Sequence, residues 1–181
     1  MPIASSPSTT LYTLGKGILY VGEWSGATPP STLNPVGNCP KFDCEVTEEI
    51  LDHYSSMSGL RTKDKSVTLE LGYNLTFDLD EISVANLAMF LKATVTGNQL
   101  LGNTQTDKEY SIKFVSDNPV GPNETWMFHR CKLAPGGGMS LIGNEWMTMS
   151  FKATGLADTA NHASSPYFTV TFHTTTTTTT S

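Results

Sequence analysis

The chain has 181 residues, a formal net charge of -6, 38% hydrophobic and 15% charged residues, and a mean hydropathy of -0.18. That length suits one domain with its own core, and an acidic balance without clustered Lys and Arg excludes a protein that grips a nucleic-acid backbone. No apolar stretch approaches the length of a membrane-spanning helix, no signal-peptide pattern opens the chain, and three cysteines, Cys39, Cys44 and Cys131, are an odd count that argues against a disulfide framework.

In chain order, residues 1–10 are small and polar and read as an arm. A strand is expected around Ile18–Val21, bent by glycines at both ends. Residues 25–40 form a loop rich in Pro, Gly and Asn. "KFDCEVTEE" (41–49) alternates, with Phe42, Cys44 and Val46 on one side and Asp43, Glu45 and Thr47 on the other. Cys44 reads as a small core residue and Cys39 as a loop residue. Residues 50–65 sustain neither period and read as a long hairpin loop. It carries Ile50, Leu51, Tyr54, Met57 and Leu60, then Arg61, Lys63 and Lys65. A loop with that much apolar surface is expected to rest on something.

From Ser66 to Phe77 the alternation is unbroken. Val67, Leu69, Leu71, Tyr73, Leu75 and Phe77 take one face; Thr68, Glu70, Asn74 and Thr76 take the other. Such a strand spans about 40 Å, twice the usual length. With Asp43 and Glu45 opposite, its polar face is expected to be acidic and otherwise uncharged. Asp78 and Glu81 read as a capping box that starts a helix over 79–92. Further strands are expected at 109–115, 124–133, 145–155 and 167–172, and a Thr-rich tract ends the chain. Trp126 and Trp146 fall in strands, where burial is the expectation. The sum is a mainly β domain of about seven strands with one helix.

The residues give no catalytic signal. None of His53, His129, His162 and His173 has a second His at zinc-site spacing, and C-x4-C at Cys39 and Cys44 lacks further ligands. "PGGGMS" lacks the Gly-Lys-Ser/Thr ending of a phosphate loop, and no G-x-S-x-G elbow occurs. Asp43 and Glu45, two apart on a strand, form a charged surface more simply than an acid–base pair. The expectation is a protein with no enzymatic activity, metal or cofactor.

The order of several motifs resembles the major tail tube proteins of long, flexible-tailed (siphovirus-type) bacteriophages. "GKGILYVGEW" (15–24) resembles that family's first strand. Residues 37–70 resemble its long hairpin and loop, most recognisably in the run from Thr47-Glu48 through Leu51-x-His53-x-Ser55-Ser56 to Lys63-Asp64. "LTFDLDEISVANLAMFL" (75–91) resembles its strand-to-helix passage, and "LADT" (156–159) also fits. Chi-like, flagellum-targeting phages are the subgroup suggested.

The resemblance implies a tail tube domain over 11–158, an N-terminal arm over 1–10 and a C-terminal extension over 159–181. It implies a β-sandwich or barrel-like fold with a flanking helix, hexameric rings, and a hollow tube that conducts DNA from capsid to host. Asp43, Glu45, Thr47, Thr68, Glu70 and Asn74 would then face the lumen, and the 50–65 loop would touch a neighbouring subunit or ring. Its basic end would meet acids such as Glu48, Glu49 or Asp52 across that contact. Implied partners are further copies of the chain, a tape measure protein in the lumen, tail tip or baseplate proteins, and a tail terminator. DNA would pass without specific binding, no membrane is involved, and the place is the virion after assembly in the host cytoplasm. Two other readings stand beside this one: a monomeric β-sandwich that binds carbohydrate or a host surface, and the inner tube of a contractile injection system.

Overall fold

In a computed structural model of the chain, residues 7–57 and 59–173 are described. Ser58, the start of the expected N-terminal arm and the Thr tract lie outside them.

Among the described residues, ten strands and one α-helix follow a short 3-10 turn at Thr9–Leu11. They are β1 (Gly17–Glu23), β2 (Asn34–Pro35), β3 (Lys41–Ser55), β4 (Thr62–Leu79), α1 (Val84–Phe90), β5 (Thr94–Thr96), β6 (Gln99–Leu101), β7 (Tyr110–Ser116), β8 (Asn123–Pro135), β9 (Met149–Gly155) and β10 (Phe168–His173). Eight strands form one antiparallel sheet in the order β2-β1-β7-β8-β9-β4-β3, with β10 paired to β8, and β5–β6 is a separate hairpin. The sheet is not a closed barrel: β2 and β3 end its main path, and β10 pairs with β8 alone. It is curled, so that the ring of Phe42 on β3 lies 5.4 Å from that of Phe114 on β7.

The concave side holds the core. The second half of β4 alternates as its sequence demands, with Tyr73, Leu75, Phe77 and Leu79 buried. Phe77 stacks on Phe151 at 4.9 Å, and Phe90 of α1 meets Phe151 edge-on at 5.5 Å. Tyr73 donates its hydroxyl to the Arg130 carbonyl at 2.9 Å. Gly155 faces the Tyr73 ring so closely that a Cβ there would overlap it. The absence of a side chain at that position is what lets the tyrosine lie flat under β9.

Three local expectations are corrected. The helix is short and begins at Ser83, whose Oγ accepts from the Asn86 N–H at 3.1 Å. Asp78 stays in β4, because Leu79 is fully buried opposite Met149 and that burial outweighs a local cap. Glu81 accepts instead from the Asn38 N–H at 3.3 Å. Residues 50–65 are mostly strand: β3 runs on to Ser55 and β4 starts at Thr62. Trp146 is 94% exposed, because β9 begins only at Met149.

Trp126 is half-buried and stacks on Phe168, with centroids 6.1 Å apart. Cys44 is exposed rather than in the core. Within 159–181, β10 pairs with β8 from Phe168↔Phe128 to His173↔Asn123 and so belongs to the main sheet.

Candidate functional site

Beyond Tyr73, strands β3 and β4 leave the body as a two-stranded arm. β4 pairs with β9 only over residues 74–79, so its earlier residues have β3 as their one partner among the named strands. The outer edge of β3 pairs with no strand described here. On the arm, Val46, Ile50, Leu51, Val67, Leu69 and Leu71 are 46–64% exposed, and Met57 at the tip is 98% exposed.

Register decides what each face carries. Asp43↔Thr76, Glu45↔Asn74, Thr47↔Gly72 and Glu49↔Glu70 are cross-strand pairs, and such pairs share a face. Asp43, Glu45, Thr47, Glu70 and Asn74 therefore lie together on the convex face, away from the core. Thr68 does not join them. The pairing steps from Glu49↔Glu70 to Ile50↔Thr68, leaving Leu69 as an extra residue. A bulge of this kind breaks the alternation of β4. Thr68 turns to the core-side face, where its hydroxyl donates to Glu48 at 2.6 Å. A second bulge at Asp64, between His53↔Lys65 and Tyr54↔Lys63, restores the parity.

The convex face is acidic on one side only. Lys41 pairs with Asp43 at 3.0 Å. Lys152 sits opposite Thr76, and Lys132 sits opposite Thr154 on the same face. The expectation of an otherwise uncharged face is corrected: Lys41 stands beside the acids on β3, and further lysines continue the face on β9 and β8.

The core-side face of the arm is a hydrogen-bonded ladder. Asp52 Oδ1 accepts from Ser66 Oγ at 2.6 Å and from Lys63 Nζ at 2.7 Å. These bonds hold the Asp52 carboxyl below its usual range and raise the Lys63 ammonium above its own. The Arg61 guanidinium lies over the Tyr54 ring at 5.2 Å, and on the opposite face His53 Nδ1 lies 2.6 Å from Asp64 Oδ1. The acids and bases of the expected contact thus already meet within one hairpin, at Asp52 and Lys63. The named loop residues, Ile50, Leu51, Tyr54, Met57, Leu60, Arg61, Lys63 and Lys65, are all on the arm or its tip and all exposed.

A cluster of buried His129 and Asp158 with half-buried His162 escaped the sequence reading. His129 stacks on His162 with ring centroids 3.6 Å apart, and neither His129 ring nitrogen has a hydrogen-bond partner among the described residues. His162 Nδ1 pairs with the buried Asp158 carboxylate at 2.7 Å. Burial, and then the neighbouring His162, push His129 below its ordinary value, with Asp158 acting weakly against them. Burial raises the Asp158 carboxyl, but His162 and Asn161 outweigh it and hold the group low.

The sign for His129 follows. Its folded pKa lies below the unfolded one, so the unfolded chain binds more protons. Its share of stability is complete above the ordinary 6.5 and is lost as pH falls through the folded value. The urea midpoint is expected to drop between about pH 7.5 and about pH 5. His129→Phe should flatten that drop. A variant with the same acid slope as wild type would assign the slope elsewhere.

Among the described residues, no group of three or more His, Cys, Asp or Glu is arranged to hold a metal ion. Burial pushes the Cys131 thiol up to about 12 and Cys39 to about 11, which keeps both protonated at neutral pH. Among the described residues, no helix is long and apolar enough to cross a membrane.

No curated protein matches the chain. Among solved structures, it is similar to a chain of the anti-feeding prophage baseplate, determined by cryo-electron microscopy with six-fold symmetrisation. The two share 9% identity with a TM-score of 0.48, over 95% of this chain and 99% of that one. A family model matches residues 12–109, which run from the end of the 3-10 turn through the whole arm to the start of β7. That match covers more than half of the sequence, and the chain belongs to the family described as protein of unknown function UCP028589.

Proposed function

We propose that the chain is the building block of a phage tail tube, in which six copies form a ring and rings stack into a hollow, non-contractile conduit for DNA. The observation that carries this reading is the arm. A two-stranded ribbon alone in water is marginally stable, and this one has apolar side chains exposed on both faces and an unpaired edge along β3. Such an edge is a template for another strand. An added copy would cover both features at once. The ordered motifs of residues 11–158 supply the class of assembly.

On this reading, the convex face lines the channel. Asp43, Glu45, Glu49 and Glu70 repel DNA phosphates, so that DNA slides past a wet wall of Thr47, Asn74 and Thr76. Lys132 and Lys152 soften that field toward β8. Thr68, turned to the other face, braces the arm against Glu48 instead of lining the channel. The tape measure protein occupies the channel during assembly, and tip and terminator proteins close the two ends. No catalytic step and no cofactor belongs to the proposal.

Negative-stain electron microscopy of the purified protein, concentrated at moderate salt, tests it. Hollow tubes or six-fold rings are expected. A chain that stays monomeric at every concentration, and remains so with tail tip complex added, favours the monomeric binding module.

A further inference from the structure

Exposed apolar side chains also lie at the end of the sheet opposite the arm. β4 runs from Thr62 at the arm to Leu79, which pairs with Met149, the first residue of β9. Loop 136–148 joins Pro135 to that same Met149, so it leaves the sheet at the end away from the arm. The distance along β4 is about 60 Å. On this loop Leu141 is 73%, Ile142 95% and Trp146 94% exposed, while Met139 packs on the core and anchors it. Three large exposed apolar side chains on one loop call for a cover.

The two ends are also opposite in charge. From Asp52 to Lys65 the arm carries Arg61, Lys63 and Lys65 against Asp52 and Asp64, and because Lys63 is already paired with Asp52, Arg61 and Lys65 supply the basic excess. The one charged residue of loop 136–148 is Glu145, and Asp78, Asp80 and Glu81 lie at the same end of β4.

From these placements we infer a head-to-tail contact: the arm tip of one copy docks on loop 136–148 of the next. Met57 and Tyr54 pack against Ile142 and Trp146, and the basic tip faces the acidic end. The partner is a second copy of this chain, because the two surfaces complement each other in polarity and sign. Two unlike surfaces joined this way repeat without closing a pair, so the contact builds along one axis. This inference rests on the self-assembly reading above and names the surface that receives the arm.

The test uses Met57→Asp and Trp146→Asp, with Ile142→Asp as a second receiver variant. All three positions are at least 94% exposed, and unchanged circular dichroism and melting confirm the fold. Each variant alone should need at least about ten-fold more protein than wild type to form extended assemblies by sedimentation. Mixed, Met57→Asp and Trp146→Asp should form complexes one contact deep, since one supplies an intact receiver and the other an intact arm.

Receiver variants that extend at wild-type concentration overturn the contact while leaving self-assembly standing. A mixture that gives no complex does the same. A wild-type chain that never assembles overturns the self-assembly reading and this contact with it.

Discussion

Met57→Asp is expected to give a folded chain that builds no extended tubes. The side chain is 98% exposed, so its removal costs the isolated fold nothing measurable, and melting should shift by no more than about 1 °C. In the proposed assembly it sits at the tip of the arm, where its apolar side chain would enter a neighbour and leave water. An aspartate there must be desolvated without a partner. A central interface residue of this kind contributes on the order of 2 kcal/mol or more, and six such contacts on the proposed ring multiply the loss. Lys65→Ala, at the rim, should do far less and should act mainly through the salt dependence of assembly. Electron microscopy with light scattering reads both. Normal tubes from Met57→Asp would remove the arm tip from the interface.

Phe77→Ala is expected to cost about 3–5 kcal/mol. The ring is 1% exposed, stacks on Phe151 and lies 6.4 Å from Phe42 at the root of the arm. Domains have about 5–15 kcal/mol in all, so this variant should lose a large part of its stability and melt about 10 °C or more below wild type. Its effect on assembly would then be indirect, through the geometry of β3 and β4. Urea unfolding measures the loss. A change below about 1 kcal/mol would mean that the β4–β9–α1 centre is not the core of the protein.

The strands that meet the core were legible, because burial on one face writes a period of two into the sequence. Tyr73, Leu75, Phe77 and Leu79 repeat it, as do Met149, Phe151 and Ala153. The root of the arm, in 41–49 and from Ser66 on, was legible as strand, but its outer part, residues 50–65, was not. Both of its faces are exposed, so nothing forces residues 50–65 to alternate, and the two bulges break what pattern remains. The helix start was misread because Asp78 and Glu81 satisfy a local capping rule that the burial of Leu79 overrides. Trp146 was placed in a strand by its neighbours Met147 and Met149, although Gly143 and Asn144 beside it mark a loop. The His129–His162–Asp158 cluster joins β8 to a turn far along the chain, and no spacing in the sequence signals it.

Leu69 has no cross-strand partner, yet the pairs on either side of it, Glu49↔Glu70 and Ile50↔Thr68, are each complete. Removing that one residue would close the gap and leave every pair in place. What would change is curvature, because a bulge bends and twists the ribbon that contains it. The same holds at Asp64, between Lys63 and Lys65. The arm therefore carries two points where a single-residue insertion or deletion redirects it without rewriting its faces. Reach and bearing can drift through such small indels, independently of the chemistry that the arm presents.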